Sequence, residues 1–146
     1  MRKFNTASEM AKYLEAHIAT LPARAERIPV ELAVNVAPVL GLAIKALYGQ
    51  NPPLADLAQS TQEQRVAAGF TANDPLLRSG SLRDSHESEA SEGVAGAGNT
   101  DERSAWMEHG DPTHNRPPRP VHLYGLEATI PFAKLEMVAA ARDLLG

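Results

Sequence analysis

The chain has 146 residues, with 14 lysines and arginines against 18 aspartates and glutamates, and a net charge of −4. That length fits one domain with a sizeable core, and the charge argues against nonspecific nucleic-acid binding by the chain as a whole. There is no cysteine, so disulfides and thiolate metal sites are excluded, and one tryptophan, three tyrosines and three phenylalanines are too few for a base-stacking platform.

The basic start Met1-Arg2-Lys3 has no apolar run behind it, so no secretory signal is expected. Asn5 or Thr6 can cap a first helix, with Glu9 in capping-box position after Thr6. Met10, Tyr13, Leu14, His17 and Ile18 fall on one face of it, and Leu21-Pro22 is expected to stop it. A second helix is predicted from Pro29 to Tyr48, kinked or split at Pro38. It is apolar nearly all round. Glu31, Asn35, Lys45 and the two prolines favour a buried or interface helix over a membrane span.

Gly49-Gln50-Asn51-Pro52-Pro53 ends that element. Leu54 to Gly69 reads as a helix whose Gln59, Gln62, Glu63, Gln64 and Arg65 form a soluble face. A turn at Asn73-Asp74-Pro75 leads into Leu76-Leu77-Arg78-Ser79-Gly80, then Ser81-Leu82-Arg83-Asp84-Ser85, which can open a helix. From Ser85 to Asn99 large apolar residues almost vanish. Short, even flanks around Glu92-Gly93 favour a hairpin of two weak strands over a mobile loop. Asp101 can cap a short helix through Trp106 and Met107. Gly110 to Pro120 reads as an extended proline-rich arm, Val121 to Tyr124 as a strand, and Ile130 to Leu145 as a final helix. The organisation is one domain, 1–146, with 1–70 mainly helical, 71–128 holding the hairpin and arm, and 129–146 the last helix.

No stretch carries a catalytic pattern. His109, His114 and His122 lie near Glu108 and Asp111, but their spacings match no metal-ligand pattern on a helix, so no metal is assigned. Ser79, Ser81 and Ser85 with Asp84 and His86 contain the residue types of a serine triad, yet they sit too close in sequence to converge from separate elements. No cofactor site is expected. Arg78 and Arg83 can pair locally with Asp74 or Asp84, or cross to a neighbouring subunit's carboxylates, and the second role is favoured. The Arg116-Pro117-Pro118-Arg119-Pro120 arm can serve a proline-reading domain, pack on its own subunit, or reach an adjacent ring.

Several blocks, in order, resemble the small tail-completion proteins of long-tailed bacteriophages. These are Leu57-Ala58-Gln59-Ser60-Thr61, Pro75 through Ser85, the small-residue hairpin from His86 to Asn99, Trp106-Met107-Glu108-His109-Gly110, and Pro117 to Leu123. The Pro75–Ser85 block is the specific one. Two positions depart from the family's usual pattern: Asp111 stands where a threonine is common, and Val121-His122 where a Phe-Leu pair is common.

The resemblance implies an α+β fold, with N-terminal helices and a C-terminal helix packed on a small antiparallel sheet and extended loop and hairpin arms. It implies a non-enzymatic virion protein, made in the host cytoplasm, forming a six- or twelve-fold ring at the head–tail junction. Its partners would be itself and the adjacent connector, adaptor, tail-terminator or tail-tube proteins, with DNA only as passing cargo and no membrane. Arg78, Arg83, Trp106, Arg116, Pro117, Pro118, Arg119 and Pro120 are then the expected subunit or partner interface. Glu87, Glu89 and Glu92 would face a central channel, where carboxylates repel passing phosphates. The alternatives are a non-viral interaction module using the proline arm and a small hydrolase using a metal on the histidine loop.

Overall fold

The computed structural model describes residues 6–145. Among these it is an α+β fold of five helices and one two-stranded antiparallel sheet. The expected cap at Asn5 lies outside the described residues. The Thr6 hydroxyl accepts the Glu9 N–H at 3.1 Å and starts α1, which runs without interruption from Ala7 to Ala46. At about 1.5 Å per residue it is about 60 Å long.

The expected stop at Pro22 and split at Pro38 do not occur. Pro22, Pro29 and Pro38 all lie inside one helix. A proline removes one hydrogen bond, to the carbonyl four residues earlier. Here the residues so affected, Ile18, Ala25 and Val34, are all exposed, so water can take their carbonyls. The helix is held by its other face, where Ala33, Ala37, Leu40, Gly41 and Ile44 form one buried stripe at helical spacing, continued by Tyr48 in the turn that follows. By length and composition alone α1 could also cross a membrane, a test that the core helix of a soluble protein passes too.

Chain order after α1 is α2 (Gln59–Ala67), α3 (Ser81–Asp84), β1 (His86–Ser91), β2 (Val94–Asn99), α4 (Arg103–His109) and α5 (Val121–Leu145), with a 3₁₀ turn at Pro112–His114. The second helix is shorter than its sequence suggests, because Leu54 leaves it to enter the core. The hairpin forms as expected, pairing His86 with Asn99 through Ser91 with Val94. Its turn residues Glu92 (φ 48°) and Gly93 (φ 83°) are both left-handed, the requirement of a two-residue type I′ turn.

Val121 to Tyr124 is helix, not strand, so α5 begins nine residues before the expected Ile130. The cause lies in α4: the Glu108 carboxylate accepts the N–H groups of His122 and Leu123, both at 3.2 Å, and caps α5 from outside. Pro131 is again carried inside the helix.

The two long helices are antiparallel: Arg24 donates to the Asp143 carbonyl, Asn35 to Glu136 at 2.7 Å, and Ile44 packs on Gly125. The hairpin lies along α1 with Ser88 against Gly41 and its turn against Pro29. Small residues set these approaches, since a Cβ on Gly41 would stand 3.0 Å from that of Ser88. Leu40, Ile44, Tyr48, Leu54, Leu82 and Val121 form the core, with Leu47, Leu76, Leu77, Ala97, Met107 and Tyr124 packed around it.

Candidate functional site

Three features of the chain have chemistry beyond packing: the loop from Asn73 to Ser85, the buried His86 with half-buried His122 beside it, and the arm from Gly110 to Pro120.

The loop is organised by Arg65, expected on a soluble face but only 8% exposed. Its guanidinium donates to the carbonyls of Thr71 (2.9 Å), Asp74 (3.1 Å) and Leu77 (2.6 Å). Between the last two sits Leu76, a non-glycine residue at φ 62°, a strained region for a side chain. The fork thus clamps both sides of the strained residue. Pro75 is fully buried and Leu77 packs on the core, after which Gly80 (φ 84°) turns the chain into α3. The Ser85 hydroxyl donates to the Leu82 carbonyl and meets Asn99 at 2.9 Å, tying the block to the hairpin.

His86 lies where α1, β1 and α5 meet, and is 2% exposed. Its Nε2 is 2.5 Å from the Tyr48 hydroxyl, and its ring centroid is 4.9 Å from that of His122. The His122 Nδ1 in turn lies 3.0 Å from the Glu108 carboxylate. His86 Nδ1 has no hydrogen-bond partner. Burial and then the facing His122 hold its pKa down to about 4; Lys45 adds to this, while Glu108 and the nearby Gly98 backbone oppose it. Burial and then the Glu108 charge push the Tyr48 hydroxyl up to about 12. Both groups are therefore held neutral.

The sign of the pH dependence follows from these shifts. Below the ordinary histidine value of 6.5 the unfolded chain takes up a proton that folded His86 refuses until about pH 4. Stability should be full above pH 6.5 and fall as pH drops towards 4. On the alkaline side the unfolded tyrosine ionises near 10 and the folded one near 12, so stability falls again above pH 10. Urea midpoints measured from pH 4 to 7.5 should show the acid decline, and His86→Gln should flatten it. An unchanged slope in that variant would place the titrating group elsewhere.

The arm begins at Gly110 (φ 75°), where a Cβ would lie 2.8 Å from both the Arg116 carbonyl and the Pro118 nitrogen. Asp111 and Arg116 exchange backbone hydrogen bonds, both 2.9 Å. Hydrogen bonds from Thr113 and then His114 hold the Asp111 carboxyl at about 2. Arg119 is not on the surface. It is 8% exposed and donates to the carbonyls of Ala55 (3.1 Å) and Asp56 (2.8 Å), so its guanidinium is withdrawn from the expected interface. Pro120 is half-buried beside it. The arm packs on α4 and the 54–56 loop of its own subunit rather than on a sheet.

The other expected interface residues remain accessible. Trp106 is 62% exposed, and Arg116, Pro117 and Pro118 are exposed. Arg78 is exposed with its guanidinium 5.0 Å above the Phe70 ring, and half-buried Arg83 pairs with Asp84 at 2.8 Å. Glu87, Glu89 and Glu92 are all exposed; Glu87 and Glu89 stand opposite Gly98 and Gly96, whose bare backbone offers no side chain to shield them.

His109, His114 and His122 do not converge: His114 pairs with Asp111 at 2.6 Å, His122 with Glu108, and His109 is exposed. Among the described residues no group of three or more histidine, cysteine, aspartate or glutamate residues is placed to hold a metal ion. The serine triad types do not assemble either, since His86 faces Tyr48 while Asp84 faces Arg83. No protein-family model matches the chain, no curated protein is significantly similar to it, and no solved structure matches its fold.

Proposed function

We propose that the chain is a structural subunit of a tailed bacteriophage, a tail-completion protein that forms a ring at the head–tail junction and joins the connector to the tail tube. The ordered series of motifs from Pro75 to Leu123 carries this reading. The fold supports it in that those motifs are joints. Leu76, Gly80 and Gly110 take left-handed turns, and Glu108 starts the next helix. Segments jointed in this way present Trp106, Arg116, Pro117 and Pro118 on the surface, and leave Arg78 exposed and Arg83 half-buried for contacts between subunits.

The reading assigns no catalytic residue, metal or cofactor. Its rival, a proline-ligand module, has little ridge to offer, because Arg119 and Pro120 are turned inward while Pro117 and Pro118 face out. Imaging purified particles at the head–tail junction is the direct test. Density for a ring of this chain at the neck is expected, and particles that contain none of it would sink the proposal. Within the same reading the hairpin glutamates face the DNA channel. A triple Glu87→Lys, Glu89→Lys, Glu92→Lys variant should assemble but retain or eject DNA abnormally; normal infectivity would remove the channel role.

A further inference from the structure

The two faces of α5 are equally apolar, and only one is covered. Val121, Gly125 and Thr129 are buried against α1, and Glu136 bonds Asn35 further along that face. On the remaining surface Leu123, Leu126, Ile130, Leu135, Met137 and Val138 are all exposed. The face away from α1 has two charges at its middle, Glu127 and Lys134. They are seven residues apart, two turns of helix, and so lie on nearly one line. Neither forms an ion pair within the chain among the described residues.

We infer that this face pairs with the same face of a second copy of the chain, antiparallel, about a twofold axis passing between Ile130 and Pro131. The charges choose the partner and its direction. In a parallel pair Glu127 would meet Glu127 and Lys134 would meet Lys134. In the antiparallel pair each Glu127 stands level with the other copy's Lys134, so both charges are matched twice by one operation. That register also sets Leu123 level with the second copy's Val138 and brings Ile130 close to the axis. The overlap from Leu123 to Val138 is about 23 Å long. The contact is isologous and closes at two copies, and it does not depend on the ring reading. A partner of unrelated sequence would have no reason to find this spacing of opposite charges.

Sedimentation analysis of the full chain over about 1–500 µM tests this, because a single helix face is a small interface. The wild type should shift from monomer to dimer across the series. Glu127→Lys alone and Lys134→Glu alone each place like charges at both ends of the axis. Each should weaken self-association about tenfold, or about 1.4 kcal/mol. Mixing the two variants should restore dimers of wild-type strength, since the mixed pair again has two opposite contacts. Circular dichroism and melting should be unchanged in both, because these side chains are exposed. A wild type that stays monomeric throughout, variants that dimerise as well as the wild type, or a mixture that fails to recover would each overturn the proposal. So would sedimentation with phosphatidylcholine vesicles in place of self-association.

Discussion

Replacing Gly125 with alanine should destabilise the protein by about 2 kcal/mol, although alanine is the better helix former by about 1 kcal/mol. At this position α5 lies against α1 so closely that an added Cβ would stand 3.1 Å from both the Cα and the N of Ile44, and closer still to its Cγ1. Two of those three atoms are backbone of a packed helix, which cannot turn aside as a side chain can. Gly125→Val should cost about 3 kcal/mol or more, because the branched group meets the same wall. Shortening Ile44 to alanine in the Gly125→Ala background should recover part of the loss, a coupling that a double-mutant cycle from urea unfolding would read. A Gly125→Ala protein more stable than wild type would show that the helices can part without loss.

A larger effect is expected at Arg65. Arg65→Met keeps the apolar stem but strands the carbonyls of Thr71, Asp74 and Leu77, and it frees Leu76 from the clamp that holds its backbone. Each stranded buried acceptor costs about 1–3 kcal/mol; Asp74 and Leu77 are half-buried, whereas the carbonyl of exposed Thr71 can turn to water. The expected loss is about 3–5 kcal/mol. Lysine should not restore it, because a single ammonium cannot reach three carbonyls in the plane of a guanidinium. Chemical unfolding of both variants checks this. An Arg65→Met protein within about 1 kcal/mol of wild type would mean that the loop is held by its leucines alone.

Much of the fold is legible in local sequence. Thr6 and Glu9 announce the start of α1, Glu92-Gly93 the hairpin turn, and Asp101 the entry to α4, because each of these signals acts within a few residues. The prolines misled for the same reason. Their rule concerns one hydrogen bond, whereas the continuity of α1 is decided by a buried stripe whose partners arrive from β1 and from α5, some forty and eighty residues later in the chain. Val121 to Tyr124 looks like a strand until Glu108 is seen to cap it.

Surface position was legible for Glu87, Glu89, Glu92 and Trp106, which are all exposed. It was not legible for Arg65 and Arg119, whose partners are main-chain carbonyls that no residue letter reports. His86 stood out only as a residue type of a serine triad, because nothing local reports the Tyr48 and His122 it meets. The signals that were present lay in small residues: Ala33, Ala37 and Gly41 at four-residue spacing in α1, and a lone glycine in the apolar start of α5.

The length of α1 has a consequence for how it opens. Its contact with α5 reaches Arg24, and residues 8–16 are all exposed. A helical segment of that size, exposed on all sides, is marginal in water on its own propensity, since isolated helices shorter than about 12–15 residues barely hold together. These first turns therefore borrow their order from the anchored half and should fray from the N-terminus inward. Amide protons there will exchange with solvent far faster than those near Ile44, without any loss of the core. A sparing dose of trypsin should cut at Lys12 before any site in the packed half.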